Sequence, residues 1–143
     1  MGWFGFNGGS QLALRSKGDA DAISAVLTNI NVAACAGAVV ATILNQLLYK
    51  KVALTMVLNG ALSNLVAITA GPDYPLMGLA MLIGGIGGAL VVYAIPMFDK
   101  LKIDDPVGAL SVDLVNGIWG ILAVGIFKPD ASLGAKFMGI LCI

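Results

Sequence analysis

The chain contains no histidine and no glutamate, two cysteines, and eight basic against eight acidic side chains in 143 residues. Each shortage closes off a class of chemistry. Without histidine, and with Cys35 and Cys142 set inside apolar runs rather than at a metal-type spacing, the sequence offers no metal site. Nothing in it marks a nucleophile or a phosphate-binding loop, so catalysis is rejected and no cofactor is expected. Both cysteines read as small core residues. Charged residues make up 11% of the chain, against roughly 25% in an ordinary soluble domain. They balance to a net charge of zero and fall in small clusters, which leaves no basic face for nucleic acid. Met1 to Phe6 carries no basic stretch and further apolar runs follow it, so a cleaved signal peptide is not expected.

What the chain has in excess is apolar surface: 59% of its residues are hydrophobic and its mean hydropathy is +0.95. An integral membrane protein follows, all-α, a polytopic transmembrane helix bundle. Four runs are near the length of about 20 residues that a spanning helix needs: Ala22 to Leu48, Leu54 to Ala70, Leu76 to Phe98 and Val107 to Phe127. Partial helices are expected at residues 1–14 and 132–143, each too short for a core of about 30 Å. Short charged loops join the runs and imply antiparallel neighbours. Counting Lys and Arg in alternate loops does not orient the bundle, because both sides hold equal numbers.

Glycines 84, 85, 87 and 88 lie in one run at small-x-x-small spacing, which lets helix backbones approach closely and reads as packing rather than a ligand site. Polar residues inside the runs need partners in hydrocarbon. Thr28, Asn29, Asn31, Asn59, Ser63, Asn64, Ser111 and Asn116 are expected to form hydrogen bonds between helices. Asp113 differs from these. A charged Asp at bilayer depth costs about 2.5–3.5 kcal/mol on insertion scales, so it marks either a functional position or a structural pairing, and the residues alone leave both open. Asp104, Asp105 and Pro106 read as an N-terminal cap, with charge favourable to the dipole of the helix that follows.

Three stretches, in order and in spacing, carry a resemblance: Gly2-Trp3-Phe4-Gly5-Phe6-Asn7-Gly8-Gly9-Ser10, the run from Leu58 to Ala70, and Lys102 to Gly120. Together they resemble the second half of the ammonium transporter family (Amt/Rh). That resemblance implies eleven membrane helices, ten of them in two inverted repeats, assembled as a trimer, with this chain close to one repeat. Lys50, Lys51 and the stretch from Lys100 to Asp105 would then face the cytoplasm, and the membrane would be a bacterial inner (plasma) membrane. Phe6 matches a gate phenylalanine, Ser10 the hydroxyl of an outer ammonium site and Trp3 the tryptophan of that motif. Packing or interfacial anchoring is the alternative reading of Trp3. Cation–π attraction at a desolvated ring is worth about 2 kcal/mol, enough to concentrate a small cation.

One position departs from the pattern. Where the family motif reads Ser-Val-His, this sequence reads Ser111-Val112-Asp113, so Asp113 stands at the place of a pore histidine. A neutral imidazole offers one donor and one acceptor, whereas an ionised Asp offers a charge that can hold a cation too tightly for exit. Three readings follow. The chain is an ammonium transport component that needs a complementary half on another membrane chain; or a non-conducting accessory subunit of a larger membrane complex; or a sensor that binds ammonium without passing it. Its partners are the lipid bilayer and that complementary chain or complex, a trimer among the possible assemblies, with ammonium as ligand if the pore is intact.

Overall fold

A computed structural model describes residues 2–74, 76–128 and 132–141. It is a bundle of helices: α1 Gly2–Gly9, α2 Lys17–Tyr49, α3 Leu54–Thr69, α4 Met77–Lys100, a π-helical segment Ala109–Leu114 running directly into α5 Val115–Phe127, and α6 Leu133–Leu141. Among the described residues there is no strand. Lys17–Tyr49, Met77–Lys100 and Ala109–Phe127 are each long and apolar enough to cross a membrane. The 16 residues of α3 extend about 24 Å.

The bounds differ from the expected runs for local reasons. α2 starts at Lys17 rather than Ala22 because Ser16 caps it: the Ser16 hydroxyl accepts the Asp19 N–H at 3.2 Å, and the Asp19 carboxylate accepts the Ser16 N–H at 3.0 Å. This reciprocal arrangement satisfies two otherwise unpaired donors and turns the expected charged loop into the first helical turn. At the amino end, α1 stops at Gly9 rather than Leu14. The chain turns through Ser10 and Gln11, and Leu12 takes a left-handed φ of 58°. The fourth run begins at Ala109 rather than Val107, because Pro106 and Val107 form a turn and Gly108 sits at φ 78°. Expectations placed on Met1, Cys142 and Ile143 lie outside the described residues.

Small residues set the topology. A Cβ added at Gly84 would stand 2.5 Å from the Ala33 carbonyl oxygen, and one at Gly88 would stand 2.5 Å from that of Gly37. The pairs 33/84 and 37/88 advance together, so α2 and α4 run parallel in near-backbone contact, the geometry that small residues permit in membranes. On α5, a Cβ at Gly120 would meet the Ala67 carbonyl oxygen at 2.5 Å, which locks α5 against α3. Around these crossings Ile30, Ala33, Ile68, Ala80, Ile83 and Ala123 form one buried cluster, and Ala41, Val91, Val92 and Val112 form another.

The polar side chains mostly bond within their own helix rather than across. Thr28 donates to Ser24 O at 2.8 Å, Asn64 to Gly60 O at 2.7 Å and Ser63 to Gly60 O at 3.0 Å. A carbonyl one turn back is close and lies in a fixed direction, so short side chains reach it before they reach a neighbour. Bonds that do cross come from Asn7 to the Thr69 hydroxyl oxygen at 3.2 Å, from Ser63 to Gly87 O at 3.4 Å and from the Trp119 indole to Ile83 O at 3.0 Å. Asn29 donates to Pro72 O at 3.0 Å and Tyr74 O at 2.9 Å, tying the loop between α3 and α4 to α2. Asn31 is exposed, and Cys35, expected in the core, is exposed as well. Ala33, Gly37 and Ala41 mark the inward stripe of α2, and Cys35 lies on its other side. An apolar run in a membrane does not distinguish inward from lipid-facing positions.

Candidate functional site

At its amino end the chain presents an aromatic hollow. α1 is pinned by Asn7, buried at 2% exposure, whose amide donates to Trp3 O at 3.0 Å and to the Thr69 hydroxyl oxygen at 3.2 Å. That bond draws α1 against the end of α3. Gly2, Trp3, Phe6 and Thr69 then line a hollow of about 420 Å³. Phe6 is 65% exposed, so one ring surface is free, while Trp3 is half-buried. Ser10 is exposed and its hydroxyl donates to Phe6 O at 2.8 Å. With its hydrogen committed, its remaining lone pairs can act only as acceptors, the role that an ammonium N–H requires. Ser10 is not among the residues lining the hollow.

Asp113 occupies a different place. It is exposed, at the edge of a groove of about 480 Å³ lined with Leu114, Gly117, Ile118, Ile121 and, from α6, Ile140. Positions 113, 117 and 121 recur at helical spacing on one face, while Val112, Asn116, Gly120 and Val124 are buried on the other. Among the described residues the carboxylate is the one charged group in an otherwise apolar wall. Trp3 and Phe6 are therefore brought together, and Asp113 is not brought to them. Gly117 and Ile121 were missed as lining residues although they stand at i+4 and i+8 from Asp113, as was Ile118, at i+4 from Leu114. Ile140 had no such signal, since its place depends on how α6 docks.

The turn before this helix shows how Asp113 is set. Asp105 accepts the Leu110 N–H at 3.1 Å and the Ser111 N–H and hydroxyl at 2.8 Å each. Burial on its own pushes the Asp105 carboxyl up, but the Ser111 and Leu110 donors outweigh it and hold the group below the usual carboxylate range. Asp104 and Pro106 are exposed, and Asp104 makes no hydrogen bond among the described residues. Deeper in the bundle, Asn64 and Asn116 both turn carbonyl oxygens that have no hydrogen-bond partner among the described residues toward Gly87. A Cβ there would stand 2.8 Å from the Asn116 oxygen and clash outright with that of Asn64.

These features define an all-helical membrane protein with an aromatic hollow at one place and a carboxylate-bearing groove at another. The sequence profile of the Ammonium Transporter Family matches residues 1–141, and the chain belongs to that family. The ammonium transporter Amt2 of Archaeoglobus fulgidus is 40% identical over 94% of this chain and 28% of its own length. An ammonium transporter of Bacillus subtilis is 35% identical over 98% of this chain and 34% of its own length. A solved structure titled a sensor Amt protein superposes with a TM-score of 0.89 at 35% identity, covering 99% of this chain and 36% of its own. The chain thus spans about a third of the length of these relatives.

Proposed function

We propose that this chain supplies one wall of an ammonium-conducting pore in a bacterial plasma membrane and conducts only when a complementary half closes the other side. Its relatives from Archaeoglobus and Bacillus are named as ammonium transporters. The observation that carries the reading is Asp113, a carboxylate exposed on an apolar groove. A charged Asp at the centre of a span costs about 2.5–3.5 kcal/mol toward lipid and Asp113, near the start of its span, costs less; a second wall that gives it a cation or a polar lumen removes that penalty. Trp3 and Phe6 supply ring faces for a desolvated cation, and Ser10 an acceptor. A half-pore alone cannot conduct, because its lumen is open to lipid. A trimer of such closed units is the expected assembly.

In proteoliposomes the purified chain should give no ammonium uptake, and adding a complementary half should give uptake. Uptake by the chain alone would overturn the need for a partner. With the half supplied, Asp113→His should raise the rate, and an unchanged rate would remove Asp113 from the pore. The charge at a position where the resemblance expects a neutral ring favours a second reading, an accessory subunit or a sensor that holds ammonium without passing it. Extraction in mild detergent separates them: a three-fold assembly with a partner half supports transport, whereas an unrelated large complex supports the accessory role.

A further inference from the structure

The helix that carries Asp113 begins with six residues in π conformation, Ala109–Leu114. Such turns bond i to i+5, hold one residue more than an α-helix would, and are rare because the bonds are poorer. Both ends of the segment show the competition between registers. Gly108 O accepts from Val112 N at 2.7 Å and also from Asp113 N at 3.3 Å. At the other end Val115 N donates to both Leu110 O and Val112 O. A segment sharing its bonds in this way needs something outside itself to choose the register.

That choice sits in the preceding loop. The Asp105 carboxylate takes three donors from residues 110 and 111, and Gly108 at φ 78° makes the tight return that lets it reach them. A side chain with a Cβ at Gly108 would be strained there and would meet Val112 Cγ2 at 2.9 Å. Held from outside, Ser111 and Val112 turn inward and Asp113 turns outward. Relaxation to an α register would slip the segment by one residue, a rotation of about 100°. Val112 would then take the outward place of Asp113, and Asp113 would move on around the wall to the place of Leu114.

We propose that Asp105 is a positioning residue: its clamp on Leu110 and Ser111 holds the π register, and the π register keeps Val112 buried and sets the place on the groove wall at which Asp113 stands. The clamp acts on backbone conformation alone and does not touch a transported ion. Only its use for ammonium rests on the pore reading above.

The test reads which residue faces out. In the chain with Cys35→Ser and Cys142→Ser, single substitutions Val112→Cys and Asp113→Cys are compared by their rates of labelling with N-ethylmaleimide in detergent. With Asp105 present, position 113 should label faster than position 112. Asp105→Asn should shift the 113-to-112 rate ratio toward 112 by about tenfold or more, the factor carried by losing one charge-assisted hydrogen bond. Ile83→Cys, at a fully buried site, reports unfolding and should stay unreactive in both backgrounds. An unchanged ratio in a folded Asp105→Asn chain overturns the proposal. If Asp105→Asn exposes position 83, Ser111→Ala decides instead: it removes one of the three donors and should move the ratio the same way by less, and no movement overturns the proposal. A shifted ratio with unaltered uptake in the complemented transporter would leave the clamp standing and sink the pore role of Asp113.

Discussion

The parallel crossing of α2 and α4 makes a quantitative demand on one hydrogen atom. At Gly88 an added methyl group would lie 2.5 Å from Gly37 O, 2.8 Å from Gly37 Cα and 3.0 Å from the carbonyl carbon. All three are backbone atoms inside a helix, so none can rotate away. Restoring an ordinary contact requires the helices to separate locally by about 1 Å, and a gap of that size forfeits a quarter to a half of the attraction between the atoms it opens. Gly88→Ala should therefore destabilise by about 1–3 kcal/mol, the usual range for overpacking a well-filled interior.

Gly85 supplies the control on the same helix. A Cβ there meets only Val40 Cγ2 at 3.5 Å, an ordinary contact. Both substitutions gain the same intrinsic helix preference of Ala over Gly, about 1 kcal/mol, so their difference isolates the crossing. Gly84→Ala meets Ala33 with the same three distances, and one separation of the helices relieves both sites. The double variant should cost less than the two singles together. The assay is denaturant-driven loss of helix signal in mixed micelles. If Gly88→Ala is as stable as Gly85→Ala, the backbones of α2 and α4 are not in contact and the packing described above is wrong.

Asn29→Ala would leave the Pro72 and Tyr74 carbonyls without the donor they now share, costing about 1–3 kcal/mol and making the loop between α3 and α4 the first site of limited proteolysis. Cleavage unchanged from the parent chain would refute that anchoring. At Asp73 partial burial raises the carboxyl, but the Lys128 ammonium and the backbone donor outweigh it and hold the group below its ordinary value. Since the folded value is depressed, the pair stabilises fully above the unfolded carboxylate value of about 3.9 and is lost as pH falls through the folded one. Exposure limits the effect to below about 1 kcal/mol, and Asp73→Asn should flatten that acid limb of a stability–pH curve. Tyr74 sets the opposite limb: burial first, then the Asp73 charge, push its phenol up to about 12, so stability present below pH 10 should decline between about 10 and 12 and Tyr74→Phe should remove the decline. Trp119→Phe would delete the bond to Ile83 O and should cost about 1 kcal/mol in the same unfolding assay.

The number and order of the helices were legible because hydrocarbon permits little else: a run of apolar residues must satisfy its own backbone, and a helix does so. The glycines of α4 were legible for a related reason, since spacing alone places Gly84 and Gly88 on one face. What failed to show in the sequence is what depends on a neighbour. Cys35 and Asn31 lie within the same apolar run as Ala33 and Gly37, yet the first two face outward and the latter two are buried, and hydropathy is blind to that difference because lipid and core are both apolar. Hydrogen-bonding side chains were expected to bridge helices, but carbonyls one turn back captured Thr28 and Asn64.

Asp113 belongs to both classes. Its presence was plain from charge alone, whereas its direction is not a property of residue 113. A regular helix from Val107 would have counted its face from Pro106; the chain instead inserts a turn, a left-handed glycine and a π segment before α5. Each of these changes the face that position 113 presents. The determinants therefore lie at Asp105, Gly108 and Ser111, residues that a search for ionisable groups in a membrane span would pass over. A substitution of Asp113 itself and one of its loop clamp should accordingly give different signatures. The first changes the side chain that the groove presents; the second changes where on the groove wall the same carboxylate stands, and only the second is visible as altered labelling at position 112.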